Sequence, residues 1–219
     1  MARGKSASRE LSLREKKSAR LKLTILESAV ELIGKREFKD LHIEEICERA
    51  EISAVTLYKY FPQKEDILLY YFRIWCLHRS VEQEVNNING ILAVEHLFEA
   101  ASAALEESPG LMYGLFGVMA ELPELPDHVE PNYAEKQILY PDHATVADRP
   151  VPDLAMLFRK HLMQAIEKGD LSDQIEPIEV MKILQGIFYG GAITARSLKL
   201  PVWDVYDAHL QVIFDYFRS

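Results

Sequence analysis

The chain has 219 residues, 48% of them hydrophobic, with a formal net charge of −9. That is enough apolar material to bury a core in one or two domains, but no apolar run is long enough to span a bilayer. The N-terminus lacks the apolar stretch of a signal peptide, so a cytoplasmic location is expected.

The charge is uneven. Residues 1–22 carry Arg3, Lys5, Arg9, Arg14, Lys16, Lys17, Arg20 and Lys22 against Glu10 and Glu15, a balance of +6 that leaves −15 on the rest. A basic arm on an acidic body suits a protein that touches phosphate at one end only. Residues 1–17 are expected to form a flexible arm, free in solution and able to contact DNA backbone when bound. A first helix follows from Leu13 or Ser18 to Lys35, with Leu26, Ala29, Val30 and Ile33 as its apolar stripe. Phe38 and Leu41 then close a small three-helix core.

Residues 43–64, IEEICERAEISAVTLYKYFPQK, hold two short helical runs, 43–50 and 54–60, around the turn Glu51-Ile52-Ser53. Ile43, Ile46, Cys47 and Ala50 recur at helical spacing, while Leu57, Tyr60 and Phe61 pack the second run inward. Ser53 is a natural N-cap and Pro62 a stop. Cys47 and the distant Cys76 lack metal or redox spacing and read as small buried hydrophobes. Two helices of about two turns joined by three residues match a helix-turn-helix, whose second helix enters the major groove of DNA.

The stretch 25–68 resembles the DNA-binding domain of TetR-type transcriptional regulators. The likeness is carried by Ile25-Leu26-Glu27-Ser28-Ala29, Ile46, Ala50, Ile52-Ser53, Thr56-Leu57-Tyr58, Tyr60-Phe61-Pro62 and Lys64-Glu65. It implies an all-α protein with a helix-turn-helix head over 18–64 and a helical ligand-binding and dimerisation domain over 65–219. It also places Lys22, His42, Ser53, Ala54, Val55, Thr56, Tyr58, Lys59, Tyr60 and Lys64 at DNA. Four positions depart from the family pattern. Glu51 stands where Gly is usual, His42 where Thr is frequent, Ala54 where a basic residue is common, and Val55 where a small one is. A left-handed Glu51 would carry a cost of roughly 1–2 kcal/mol.

Beyond the head, a helix over 64–84 presents Ile67, Leu68, Tyr71, Ile74, Trp75 and His78 on one face and joins head to body. Asn86-Asn87-Ile88-Asn89-Gly90 breaks the pattern. Helices over 93–107 and on to 122 follow, the second apolar nearly all round. Residues 123–152, rich in Pro, Asp and His, are expected to be a long loop that partly covers a pocket. Its Asp127-His128 and Asp142-His143 steps lack metal-site spacing, so no metal and no cofactor is expected. Asp153 caps an amphipathic helix to Lys168, Pro177 opens a helix to Lys199 notched by glycines, and a last helix runs over 202–217.

The buried aromatic and sulfur-bearing set Trp75, Met112, Tyr113, Phe116, Met119, Phe158 and Phe188 suggests an apolar or aromatic ligand, with His78, His161 or Tyr189 orienting a polar group. Core packing is the plainer role of many of these residues. A terminal helix with apolar residues on two sides wants two partners. The resemblance implies that it and the glycine-notched helix bundle with those of a second subunit, which places Gly186, Gly190, Ile193, Trp203, Tyr206, Leu210, Ile213 and Phe217 at a homodimer interface; the alternative is that both are core helices of a monomer. Val205, Val212 and Tyr216 form the other apolar side. No nucleophile elbow, zinc-protease or phosphate-loop pattern is present, so an enzyme is not expected. The leading expectation is a sequence-specific regulator, a repressor released from a palindromic operator by a small, largely apolar ligand. The alternative is a helical adaptor or ligand-binding protein whose helix-turn-helix has lost specific DNA binding.

Overall fold

The computed structural model describes residues 9–34, 36–122 and 125–218. The expectation for residues 1–8 of the arm lies outside them, as do Lys35, Pro123 and Glu124. Among the described residues every regular element is helical. The order is α1 Leu13–Ile33, a 3₁₀ turn Phe38–Asp40, α2 Ile43–Arg49, α3 Ala54–Tyr60, α4 Asp66–Val85, α5 Ile91–Glu107, α6 Pro109–Glu121, a 3₁₀ turn Asp127–Val129, α7 Tyr133–Leu139, α8 Ala144–Asp148, α9 Leu154–Lys168, α10 Pro177–Leu198 and α11 Val202–Phe217.

Helix α1 starts at Leu13 because Ser12 and Glu15 cap it reciprocally: Glu15 N–H donates to Ser12 Oγ at 3.3 Å and Ser12 N–H to the Glu15 carboxylate at 2.9 Å. The root of the basic arm is therefore helical, and it is also docked. Arg9 N–H donates to the Tyr133 hydroxyl at 3.0 Å, and Leu11 is buried with Ala19 and Ala134. In the head, Ile25, Ile33, Ile46, Leu57 and Phe61 are fully buried and hold α1, α2 and α3 together.

Head and body share one continuous core, with α4 crossing between them. Helix α6 also reaches the head, at two glycines. A Cβ on Gly110 would sit 1.6 Å from the Arg36 carbonyl oxygen, and one on Gly114 would sit 2.8 Å from Phe38 Cβ. Only a bare backbone lets α6 approach that closely.

The stretch expected to be a loop is helical over much of its length. Asn132 caps α7: Glu135 N–H donates to Asn132 Oδ1 at 3.1 Å, and Asn132 N–H to the Glu135 carboxylate at 3.0 Å. Helix α7 lies along α1 and is clamped by buried polar contacts. Tyr70 donates to Glu135 at 3.0 Å, while Arg73 donates to Glu130 at 2.8 Å and to the Val151 carbonyl at 2.7 Å. Residues 125–152 strap the body to α1, and Leu139 of α7 lines a groove there.

Candidate functional site

The turn between α2 and α3 is closed by backbone geometry. Glu51 is left-handed (φ 54°), Ile52 N–H donates to the Cys47 carbonyl at 2.9 Å, and Glu51 N–H to the Glu48 carbonyl at 3.2 Å. This pair of bonds is the glycine-type helix stop, made here by a glutamate. Ser53 then caps α3, accepting from Thr56 N–H at 3.2 Å, and Phe61 N–H donates to Leu57 O before Pro62. With Leu57 and Phe61 anchored in the core, the opposite side of α3 stands in solvent. Val55 is 82% exposed and Tyr58 47%, with Ala54 and Lys59 exposed beside them. A valine held in water at the start of a short helix has no role in this chain's own packing.

The other expected DNA contacts divide. His42 is exposed at the N-terminus of α2, where its N–H donates to Glu45 at 3.0 Å. Arg36, which sequence reasoning passed over, grips Glu45 with both guanidinium nitrogens at 2.9 Å and holds its carboxyl down at about 2. Tyr60 is half-buried, its hydroxyl 3.1 Å from Ser18 Oγ.

Two lysines point inward. Lys22 is only 7% exposed; its Nζ donates to the His128 carbonyl at 3.1 Å, lies 3.7 Å from the Glu135 carboxylate, and sits 4.1 Å over the Tyr70 ring. Burial pushes its pKa down, against the pull of Glu135, Asp66 and Glu130. Lys64 Nζ donates to the carbonyls of Phe38 and Leu41 at 3.0 and 2.9 Å. The resemblance put both at phosphate, but both are spent on internal carbonyls. Their partners are 23 or more residues away, beyond the reach of any local pattern.

Residues 25–71 match the model of the bacterial regulatory proteins, tetR family. No curated protein matches the chain by sequence. Several solved structures share its fold over most of their length. A TetR transcriptional regulator from Rhodococcus sp. RHA1 has 17% identity and a TM-score of 0.56, with 93% of this chain and 96% of that one covered. The reduced form of E. coli NemR has 16% identity and a TM-score of 0.57, with 88% and 96% covered. FadR from Bacillus subtilis, in complex with stearoyl-CoA, has 16% identity and a TM-score of 0.55, with 88% and 97% covered. By sequence, residues 25–71 are a TetR-family segment, and the whole chain has the fold of these solved structures.

In the body, the residues expected at a ligand are brought together as a packed aromatic stack. The Phe188 ring centroid lies 6.0 Å from Phe116, 6.3 Å from Phe158, 6.1 Å from Trp75 and 5.4 Å from Tyr189. Phe98, absent from the expected set, completes it at 5.6 Å from Phe188 and 4.9 Å from Tyr206. Met112 is buried, the Tyr113 hydroxyl donates to the Ala192 carbonyl at 3.1 Å, and the Tyr189 hydroxyl lies 3.8 Å from the Met119 sulfur. His161 is engaged within the chain. Its ring nitrogens lie 2.8 Å from the side-chain oxygens of Gln83 and Gln164, and burial lowers its pKa to about 4. His78 is engaged by the Tyr140 hydroxyl. Trp75 and His78 also line a groove of about 340 Å³ between α1, α4 and α7.

The expected dimer residues split by face. Ile193 is 54% exposed, and nothing lies within 4 Å of a Cβ built on Gly186 or Gly190, so one side of α10 is open. On α11, however, Tyr206 and Leu210 are buried within the chain, the Tyr206 hydroxyl donating to the Phe188 carbonyl at 2.6 Å. Trp203, Ile213 and Phe217 are half-buried on the same inward side. The apolar residues of α11 that face out are Val212, at 68%, and Tyr216, at 80%. Periodicity marked both stripes of α11 but carried no sign of which one α10 covers.

Proposed function

We propose that this chain is a transcriptional repressor that reads a palindromic operator as a two-fold dimer and is released by a small, largely apolar molecule. The observation that carries the reading is the outward row of α3, where Ala54, Val55, Tyr58 and Lys59 stand free on a helix locked from behind by Leu57 and Phe61. The methyls of Ala54 and Val55 suit thymine methyls, Tyr58 suits a phosphate or base edge, and Lys59 suits phosphate. Glu44, Glu48 and Glu51 stand exposed nearby and narrow the cationic surface, so affinity rests more on fit than on charge.

Pairing is supported by a surface the protomer leaves uncovered. Ile183, Gly186, Gly190 and Ile193 share an open side of α10, and Val212 and Tyr216 extend from α11. Such an apolar, glycine-notched face is self-complementary about a two-fold axis, with the two heads spaced for half-sites a helical turn or more apart. A protein of the same fold is known in complex with stearoyl-CoA, which supports a small-molecule effector here.

The test is a mobility-shift titration on the DNA upstream of the chain's own gene, across salt, with sedimentation in parallel. A two-fold site bound by a dimer, with affinity falling steeply in salt, is expected. Equal affinity for scrambled DNA, or a single subunit at working concentration, would overturn it.

A further inference from the structure

The aromatic stack of the body is filled, so room for a guest has to lie where two elements stand apart. The groove of about 340 Å³ between α1 and α4 is such a place, and its size falls within the range of small-molecule sites. Leu23, Leu26 and Val30 make the wall on the head side; Tyr71, Ile74 and Trp75 make the wall on the body side.

The polar groups around it set the chemistry of an occupant. Arg79 also lines the groove; its charge is paired with Glu82 at 2.8 Å, its Nε is buried without a hydrogen-bond partner among the described residues, and its guanidinium rests 5.9 Å over the Trp75 ring. His78 is held by Tyr140, and burial drives its pKa below the ordinary value, so it is uncharged near pH 7. Glu31 is paired with Arg49. Glu27 is exposed and has no hydrogen-bond or ion-pair partner among the described residues. The unmatched charge on these walls is thus a carboxylate, set beside two aromatic rings.

We propose that this groove binds a small apolar amine, its body wedged between α1 and α4 and its ammonium group on Glu27. The Trp75 face is already covered by Arg79, so the preference for a cation rests on Glu27. The guest touches a head helix and a body helix at once, so its affinity depends on how the two are spaced. This gives the effector of the repressor a location, and for that consequence alone it rests on the reading above. A guest that prefers a spacing other than that on DNA shifts the population away from the operator; one without preference shifts nothing.

The test uses three compounds of one shape: naphthylmethylamine, naphthylmethanol and naphthylacetate. Each is titrated against the Trp203→Phe protein, in which Trp75 is the remaining tryptophan. The amine is expected to quench Trp75 saturably and to bind roughly tenfold or more tighter than the anion. Glu27→Gln should bring all three within about threefold, and Val30→Phe should fill the groove and abolish binding, both with unchanged circular dichroism. Equal affinity of the three compounds, a charge preference that survives Glu27→Gln, or no saturable response would overturn the site. A parallel mobility shift separates the two ideas. An amine that binds but leaves the DNA complex intact overturns its role as effector and keeps the groove. Release by other compounds without any Trp75 response does the reverse.

Discussion

Helix α3 and the strap 125–152 both lie at the surface, yet they use their polar side chains in opposite ways. Helix α3 keeps Tyr58 and Lys59 in solvent and takes its stability from two buried anchors, Leu57 and Phe61. The strap turns Glu135 inward against Lys22 of α1 and Tyr70 of α4, engages Arg73 of α4 through Glu130, and closes Lys136 onto its own Arg149 carbonyl. A polar side chain is available to a partner only where the chain itself has not already satisfied it. Changes in the strap should therefore lower stability and spare DNA affinity, and changes on the face of α3 should do the opposite.

The sharpest way to break that contrast is at Lys22 and Glu135, which meet across the seam. Glu135→Ala leaves a buried ammonium without its carboxylate and should cost about 3–5 kcal/mol in urea unfolding. Lys22→Ala should cost a similar amount, whereas Lys22→Met, which replaces the charge by apolar volume, should cost far less. If Lys22 served DNA, both Lys22 variants would reduce the salt dependence of binding by about one ion. On the geometry here, neither does.

How far the sequence was legible follows the same division. Ile46, Ala50, Ile52, Ser53, Leu57 and Phe61 lie within 16 residues and specify the helix-turn-helix by local spacing and capping alone. Asn132 and Glu135 carried an equally local signal, a reciprocal helix cap, which the surrounding Pro, Asp and His composition obscured. The fate of Lys22 had no local signal, because its partner His128 is 106 residues away. The stripe of α11 holding Tyr206 and the one holding Val205, Val212 and Tyr216 are both apolar, and tertiary contact alone decides which residues are covered: Val205 is buried while Val212 and Tyr216 stand out.

A second buried polar site, in the body, tests whether internal satisfaction carries a pH signature. His161 is held neutral, with a pKa near 4 chiefly through burial, while the hydrogen bond to Gln164 pulls it up and Lys160 and His96 push it down. An unfolded histidine titrates near 6.5, so the unfolded chain binds more protons between pH 4 and 6.5. Stability should be complete above pH 6.5 and fall as the pH drops, by about 2–3 kcal/mol at pH 4. His161→Gln should flatten that part of the curve, measured by urea midpoints across pH. An unchanged slope would place the titrating group elsewhere.

On the exposed side, Tyr58→Ala and Lys59→Ala should each weaken operator binding by about 1–2 kcal/mol while moving stability by less than about 0.5 kcal/mol. Lys59→Ala alone should also lower the salt slope by about 0.9. A loss of stability in either would mean that α3 is not free in the sense argued above.

The smallest effect is expected at Glu51, where the two principles meet. Its left-handed backbone costs a side chain about 1 kcal/mol, and the closing bonds to Cys47 and Glu48 hold it there regardless. Glu51→Gly should remove that cost, largely offset by the greater freedom of glycine in the unfolded chain, for a net gain of at most about 0.5 kcal/mol. It also removes a negative charge two residues before the cap of α3, so DNA affinity should rise at low salt and converge with the parent at high salt. Glu51→Gln separates the two contributions, because it keeps the strained backbone and loses only the charge. Equal stability of the glycine and glutamine variants would show that the turn, despite its geometry, stores no strain.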